Sequence, residues 1–508
     1  MTELFAKLPT AMAATTVLAR MEAYEWYAIV SSLMQLVFAF AFGACLGSLI
    51  NVLVYRLPRG IGVVTPPSAC PGCGTQLTWR ENVPVLGWIF LRGRCRFCGM
   101  KISPEYPIVE AVVGGLFALF YGLWFMLPRR SIILDGALRG LDWTSIAPDW
   151  TLNGLGMTWP ALVVLLILIA SLVAMTLVDA KTFTIPLVLA WVPTVVALIA
   201  HPLHALYIQH TTGSLKFGAP EWIWTIPTPT TWGWGWIGAS LGGTLGLVIS
   251  NLLLHFGLIR RSFADYSEWE AGVLAEEEKT RQAHAAAAQA IPDQTISAQT
   301  TVAQAGTVQP QSADTASPPP PRDAQAAPVD LWVQYPHARR ESWKEIIFLA
   351  PCILLAYAGS LLAHRLAGPW TFDQASFTDR PAHAAPLWLV VLAGVLMGYL
   401  IGGGIVWLFR IVGSLAVGKE AMGLGDVHLL AAVGACLGWI DAILAFLGAA
   451  FVALAWTGIS RVFSGKLQRV LPYGPYLAIA TLLVLLLRPA LEAGLTLLLK
   501  PQMPIRLP

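Results

Sequence analysis

Apolar runs near twenty residues long recur along this sequence, each the length a helix needs to cross a hydrocarbon core of roughly 30 Å. Ten such runs, bounded by charge or proline, lie at about 27–50, 107–127, 159–178, 186–200, 234–257, 346–366, 387–411, 427–440, 442–460 and 474–498. The fourth and eighth are short, so eight to ten transmembrane helices are expected, with tilted or incomplete spans where the run is brief. Backbone polar groups in lipid must find partners within the protein, and helices provide them locally. The expected fold class is therefore an all-α polytopic membrane protein. Composition agrees, since 56% of the 508 residues are hydrophobic and only 12% charged, about half the roughly 25% usual in soluble domains. A diffuse net charge of +3 excludes a nucleic-acid partner, which needs a clustered basic face. The bilayer is the expected environment and partner.

Orientation follows from basic residues near span ends, which favour the cytoplasmic side. Loop 51–106 carries Arg56, Arg59, Arg80, Arg92, Arg94, Arg96 and Lys101, whereas loop 367–386 holds Arg380 alone among basic residues other than histidine. Placing the first loop in the cytoplasm puts 257–345 there too, with Arg260 and Arg261 at its edge, together with Lys419, Arg461, Lys466 and Arg469. Arg129, Arg130 and Arg139 then fall outside, among Asp135, Asp142 and Asp149, a mild exception. Residues 1–26 lack the charged start, short apolar centre and small-residue cleavage site of a secretory signal, so the first span is expected to stay.

Five segments result: 1–50 with the first span, the cytoplasmic loop 51–106, spans over 107–257, a cytoplasmic insert over 258–345, and spans over 346–508. Residues 280–330 are rich in Ala, Gln, Thr, Ser and Pro, ending in Pro318, Pro319, Pro320 and Pro321. Such a stretch cannot bury enough apolar surface to offset the entropy of ordering, and it reads as a flexible linker. A helix running from about 258 through Glu276, Glu277 and Glu278 is expected before it.

Seven cysteines do not make an even disulfide set, and four fall in two tight pairs. Cys70 and Cys73 in CPGCG, with Cys95 and Cys98 in CRFCG, give C-x2-C-x21-C-x2-C, a zinc-ribbon spacing. Gly72, Gly74 and Gly99 can take the positive φ angles that such turns require. Four thiolates would fill every position around Zn2+ and leave none for water, so the metal is expected to be structural. A loop this small folds with help from its metal. Cys45, Cys352 and Cys436 lie in apolar runs and read as small buried thiols.

Two acidic residues close the residue-level reading. Asp179 ends an apolar run in LVDAKTFTIP, and Asp426 opens another in GLGD. Singly, Asp179 could mark the water interface and Asp426 could be a helix N-cap. The orientation above places both on one cytoplasmic face. Two carboxylates brought close cannot both ionise easily, so one keeps a proton. The ionised member can then deprotonate water while the protonated member donates to a substrate carbonyl, the chemistry of an aspartic peptidase. Gly423 and Gly425 would let a peptide backbone approach Asp426 closely.

The motifs GSLINVLVYRLPRG (Gly47, Ser48, Asn51, Arg56, Pro58), CPGCG, ENVPVLGWIFLRGRC, CRFCG, YPIVE (Tyr106, Pro107, Glu110) and GLGDVHLLAAVGACLGW occur in that order. Together they resemble the type IV prepilin leader peptidases, over about 47–127, 159–200 and 420–480. The resemblance implies an integral protein of the bacterial inner membrane that removes the leader peptides of prepilins or pseudopilins. It also implies N-methylation of the new terminus with S-adenosylmethionine, which no G-x-G-x-x-G pattern here supports independently. Carried over by motif, Asp179 and Asp426 would be catalytic, and Cys70, Cys73, Cys95 and Cys98 the zinc ligands. Arg56, Glu105 and Glu110 could serve the methyl transfer or be structural. The chain departs from the family pattern at Lys181, Leu187 and His428. Other readings stay open: a GxGD protease with a different substrate, or a non-catalytic zinc-stabilised scaffold or transporter. Oligomeric state is not legible.

Overall fold

A computed structural model describes residues 2–127, 146–212, 226–289, 335–373, 378–464, 473–500 and 507. Most of the low-complexity linker, the prolines 318–321, Lys466, Arg469 and the outer residues Arg129, Arg130, Asp135, Arg139 and Asp142 lie outside the described residues. The helices are α1 (Thr2–Arg56), α2 (Leu86–Phe90), α3 (Glu105–Tyr121), α4 (Leu155–Thr182), α5 (Leu187–Thr212), α6 (Trp234–His255), α7 (Tyr266–Gln289), α8 (Ala338–Leu366), α9 (Leu387–Val417), α10 (Leu424–Leu437), α11 (Trp439–Ser464), α12 (Tyr473–Leu486) and α13 (Arg488–Leu499). A two-stranded antiparallel hairpin, β1 (Trp370–Asp373) and β2 (Thr378–Pro381), joins α8 to α9.

Eight helices among the described residues are long and apolar enough to cross a membrane, as the hydropathy required. Two runs, the fourth and the tenth, behave differently from expectation, whereas the eighth is short as expected. The fourth is not short, because α5 continues through Pro193, His201, Pro202 and His204 to Thr212. The eighth is the short apolar helix α10, stopped at Gly438 with φ +97°. The tenth breaks in two, with α12 and α13 meeting at 83°. Pro489 has no amide hydrogen to continue the ladder across that joint, and Leu487 there leaves helical geometry. The helix expected before the linker is present as α7.

Side-chain packing rather than hydrophobic burial joins helices in lipid, and small residues let backbones meet. α4 is the central post. Its Leu168, Ile169, Leu172, Met175 and Val178 are wholly enclosed, and it touches α1, α5, α10 and α12. Two stripes of Gly at every fourth position do the closest work. Gly398 and Gly402 of α9 face the Gly434 and Leu430 carbonyls of α10, and a methyl on Gly398 or Gly434 would overlap the other's oxygen. Gly238, Gly242 and Gly246 of α6 meet Gly359, Leu355 and Pro351 of α8 in the same way.

Candidate active site and metal centre

The end of α4 is set by Phe183 in the left-handed region, φ +53°, whose amide caps the Asp179 carbonyl at 2.9 Å. A non-glycine residue there costs roughly 1–2 kcal/mol, so the turn is held by its surroundings. Ile185 precedes Pro186 and is thereby kept out of helical geometry. The turn delivers Ile185 between two glycines: a Cβ on Gly425 would lie 2.9 Å from Ile185 Cβ, and one on Gly474 would lie 3.2 Å from Ile185 Cδ1. Asp179 is itself buried and its Oδ2 lies against Gly474 at the start of α12, 2.7 Å from where a Cβ would stand.

Asp426 is not the N-cap that the sequence suggested. That position belongs to Gly423, in extended geometry, and Asp426 is the third residue of α10. Its carboxylate turns back toward Gly423, where an added Cβ would lie 3.7 Å from Oδ2. Asp426 is 7% exposed and Asp179 6%, and each is within electrostatic reach of the other. The two carboxylates, distant in sequence, are therefore neighbours where α4, α10 and α12 meet around Ile185. Tyr473 adds a hydroxyl on this side, within reach of the Phe446 carbonyl at 3.4 Å and of the Asp426 charge.

The family departures find local partners or open positions. Lys181 forms an ion pair with Glu105 and so ties the last turn of α4 to the first of α3. His428 is half-buried in α10, and Leu187 is exposed at the start of α5. Arg56 donates to the Gly62 and Val63 carbonyls, both at 3.0 Å, closing the turn after α1. Glu110 accepts from the Val85 amide at 2.6 Å and from the Ser48 hydroxyl, fastening the cysteine loop to α1 and α3. All three polar residues Arg56, Glu105 and Glu110 thus have structural contacts.

Cys70, Cys73, Cys95 and Cys98 bring their sulfurs within 4.8 Å of one another. Two matching turns do this. The Cys70 amide donates to the Thr75 carbonyl at 2.9 Å and the Gly74 amide to Cys70 at 2.8 Å; Cys95 and Met100, then Gly99 and Cys95, repeat the pattern at 2.8 and 3.0 Å. Gly74 and Gly99 take positive φ. Gly72 does not, and serves by close approach, since a Cβ there would lie 2.5 Å from Met100 Sδ. The Thr75 hydroxyl and amide draw the Cys73 thiol down to about 6, and the Cys98 and Phe97 amides lower Cys95. The Met100 amide favours the Cys98 thiolate, but burial and the neighbouring thiols push Cys98 up to about 11. Clustered sulfurs of this kind can hold a metal ion.

Residues 41–124 match the bacterial peptidase A24 N-terminal domain, and residues 352–458 match the type IV leader peptidase family. Two separate stretches, together less than half of the chain, are thus similar to the type IV leader peptidase family. The family's N-terminal domain holds all four cysteines and its peptidase domain holds Asp426, while Asp179 lies between the two matched segments. Relatives include a prepilin leader peptidase/N-methyltransferase of Myxococcus xanthus, 51% identical over 81 residues, 16% of this chain and 24% of that protein. One from Klebsiella pneumoniae is 46% identical over 88 residues, 16% and 39% of the two chains. One from Aeromonas hydrophila is 30% identical over 172 residues, 29% and 48%. The matched part thus spans less than half the length of each of these relatives. No solved structure matches.

Two residues of this site escaped the sequence reading. Gly474 sits in PYGPYL, where flanking prolines announced a special backbone. Arg410 is a fully buried cation inside an apolar run, the kind of residue that in a membrane helix signals function by default.

Proposed function

We propose that this multi-pass membrane protein is a prepilin peptidase of the bacterial inner membrane, cutting the leader from type IV prepilins or pseudopilins at the cytoplasmic face. The observation that carries the reading is the meeting of Asp179 and Asp426 around Ile185 and Gly474. One carboxylate, ionised, takes a proton from water as it attacks the scissile carbonyl. The other, protonated, donates to the carbonyl oxygen and so stabilises the tetrahedral intermediate. The proton gained by the first then passes to the leaving amine. Gly423, exposed and with nothing nearer than Asp426 Oδ2 at 3.7 Å from an added Cβ, leaves a peptide backbone room beside Asp426, while Ile185 fills the space at Gly425.

Cys70, Cys73, Cys95 and Cys98 would hold one structural Zn2+. With Zn–S bonds of about 2.3 Å, a tetrahedral site has sulfur–sulfur edges of about 3.8 Å; the Cys70 and Cys98 sulfurs stand 3.7 Å apart. The metal would fix the fold of a loop that Glu110 anchors to the helices. A second activity, methylation of the exposed amine with S-adenosylmethionine as donor, rests on the family alone.

The test is incubation of the purified protein with a leader-bearing prepilin and S-adenosylmethionine, followed by mass spectrometry. A chain shortened at the leader junction supports the peptidase, and one further methyl supports the transferase. An uncut substrate overturns the reading.

A further inference from the structure

Arg410 lies in α9, wholly enclosed, where an unpaired guanidinium would be prohibitively costly. Its Nε donates to Glu345 Oε1 at 2.7 Å. Its Nη1 donates to both the Glu420 carboxylate and the Met422 carbonyl. The Phe263 ring lies 5.2 Å from its guanidinium carbon. Glu345, at the base of α8, is fixed in turn by the Ser262 hydroxyl at 2.9 Å and Trp407 Nε1 at 3.2 Å. The cation therefore bridges the stretch flanking the cytoplasmic insert and the link 418–423 that leads into α10.

The Met422 carbonyl and the Gly423 amide are two ends of one rigid peptide unit. Arg410 binds the oxygen end, and the Gly423 end lies against the Asp426 carboxylate, where a Cβ on Gly423 would stand 3.7 Å from Oδ2. Fixing the oxygen fixes the plane of the peptide. The rest of the link is secured separately. The Ser414 hydroxyl accepts from the Ala421 amide at 3.1 Å, the Tyr335 amide donates to the Gly418 carbonyl at 2.8 Å, and the Tyr266 hydroxyl bonds the Glu420 backbone. Tyr266, Phe263, Tyr335 and Ala338 pack into one small core. This core belongs to the insert, outside both matched family segments.

We propose that Arg410 is a positioning residue for Asp426, fixing the Met422–Gly423 peptide against which the carboxylate rests, and that the insert, through Glu345 and Phe263, holds Arg410. The inference rests on the reading of Asp426 as catalytic. It gives the insert a task in the site that it does not touch directly.

Two measurements on the full chain test it. In Arg410→Gln, hydrogen exchange over 418–426 should rise at least about tenfold, as expected when a charge-assisted bond is lost. For leader cleavage, kcat should fall about 10- to 100-fold while KM changes less than about twofold, because the lost interaction orients a reacting group rather than binding substrate. Arg410→Lys, which keeps one donor, should recover part of both. If Arg410→Gln does not insert, Glu345→Gln should show the same changes, smaller in size. Unchanged exchange, or kcat within about twofold of wild type in the inserted variant, overturns the proposal. An inactive wild-type protein whose exchange still responds to Arg410→Gln would instead defeat the peptidase reading and leave the clamp standing.

Discussion

Asp179 and Gly474 touch across two helices: a Cβ added to the glycine would lie 2.7 Å from the carboxylate's Oδ2. No side chain fits there without pushing Asp179 aside. Gly474→Ala should therefore cut leader cleavage by about 100-fold, the cost of misplacing a reacting group by about 1 Å, with membrane insertion intact. The check is kcat on the purified variant beside a fractionation blot.

The carboxylates themselves make a sharper demand. Asp179→Asn and Asp426→Asn keep the size of each side chain and remove its proton chemistry. Each should lower kcat by about 100- to 10,000-fold, the range of general acid–base catalysis. The double variant should be little worse than either single one, because the two act as a unit. Retained turnover in either single variant, measured by product mass, would contradict the assignment.

At the cysteine loop, Cys70→Ser or Cys95→Ser removes one of the two buried sulfurs. Metal analysis of the purified protein should find about one equivalent of zinc in wild type and a clear deficit in each variant. Limited proteolysis should then cut within the loop while the membrane helices survive, since metal binding and loop folding are one event.

The α9–α10 crossing offers a controlled comparison. Gly398→Ala puts a methyl onto the Gly434 carbonyl, whereas Gly404→Ala on the same helix meets open space. The first should destabilise the protein by about 1–3 kcal/mol, as overpacking does, and the second by little. Thermal unfolding in detergent measures both. Because α10 carries Asp426, activity should follow stability only for the first.

Much of this was legible in the residues. Membrane helices announce themselves because backbone satisfaction in lipid forces long apolar runs, and the two cysteine pairs because their spacing admits little besides a metal. Asp179 and Asp426 stood out as charges at the ends of such runs. Local helix-stopping was harder to see. α5 runs on through His201 and Pro202 because tertiary packing buries both histidines, while the last run breaks at Leu487. The start of α10 was hidden too, since Gly423, with no side chain to advertise it, is the N-cap and Asp426 stands three residues on. Arg410 lay within an apolar run, and only the folded chain reveals that Glu345 and Met422 converge on it.

α10 and α12 have 14 residues each, about 21 Å of helix at 1.5 Å per residue. Set against a hydrocarbon slab of roughly 30 Å, both stop short. Protein rather than lipid encloses most of both helices, so their first turns, which carry Asp426 and Gly474, can lie recessed from the membrane surface. A peptide bond buried at the edge of a substrate's own anchor could then meet solvent without leaving the leaflet.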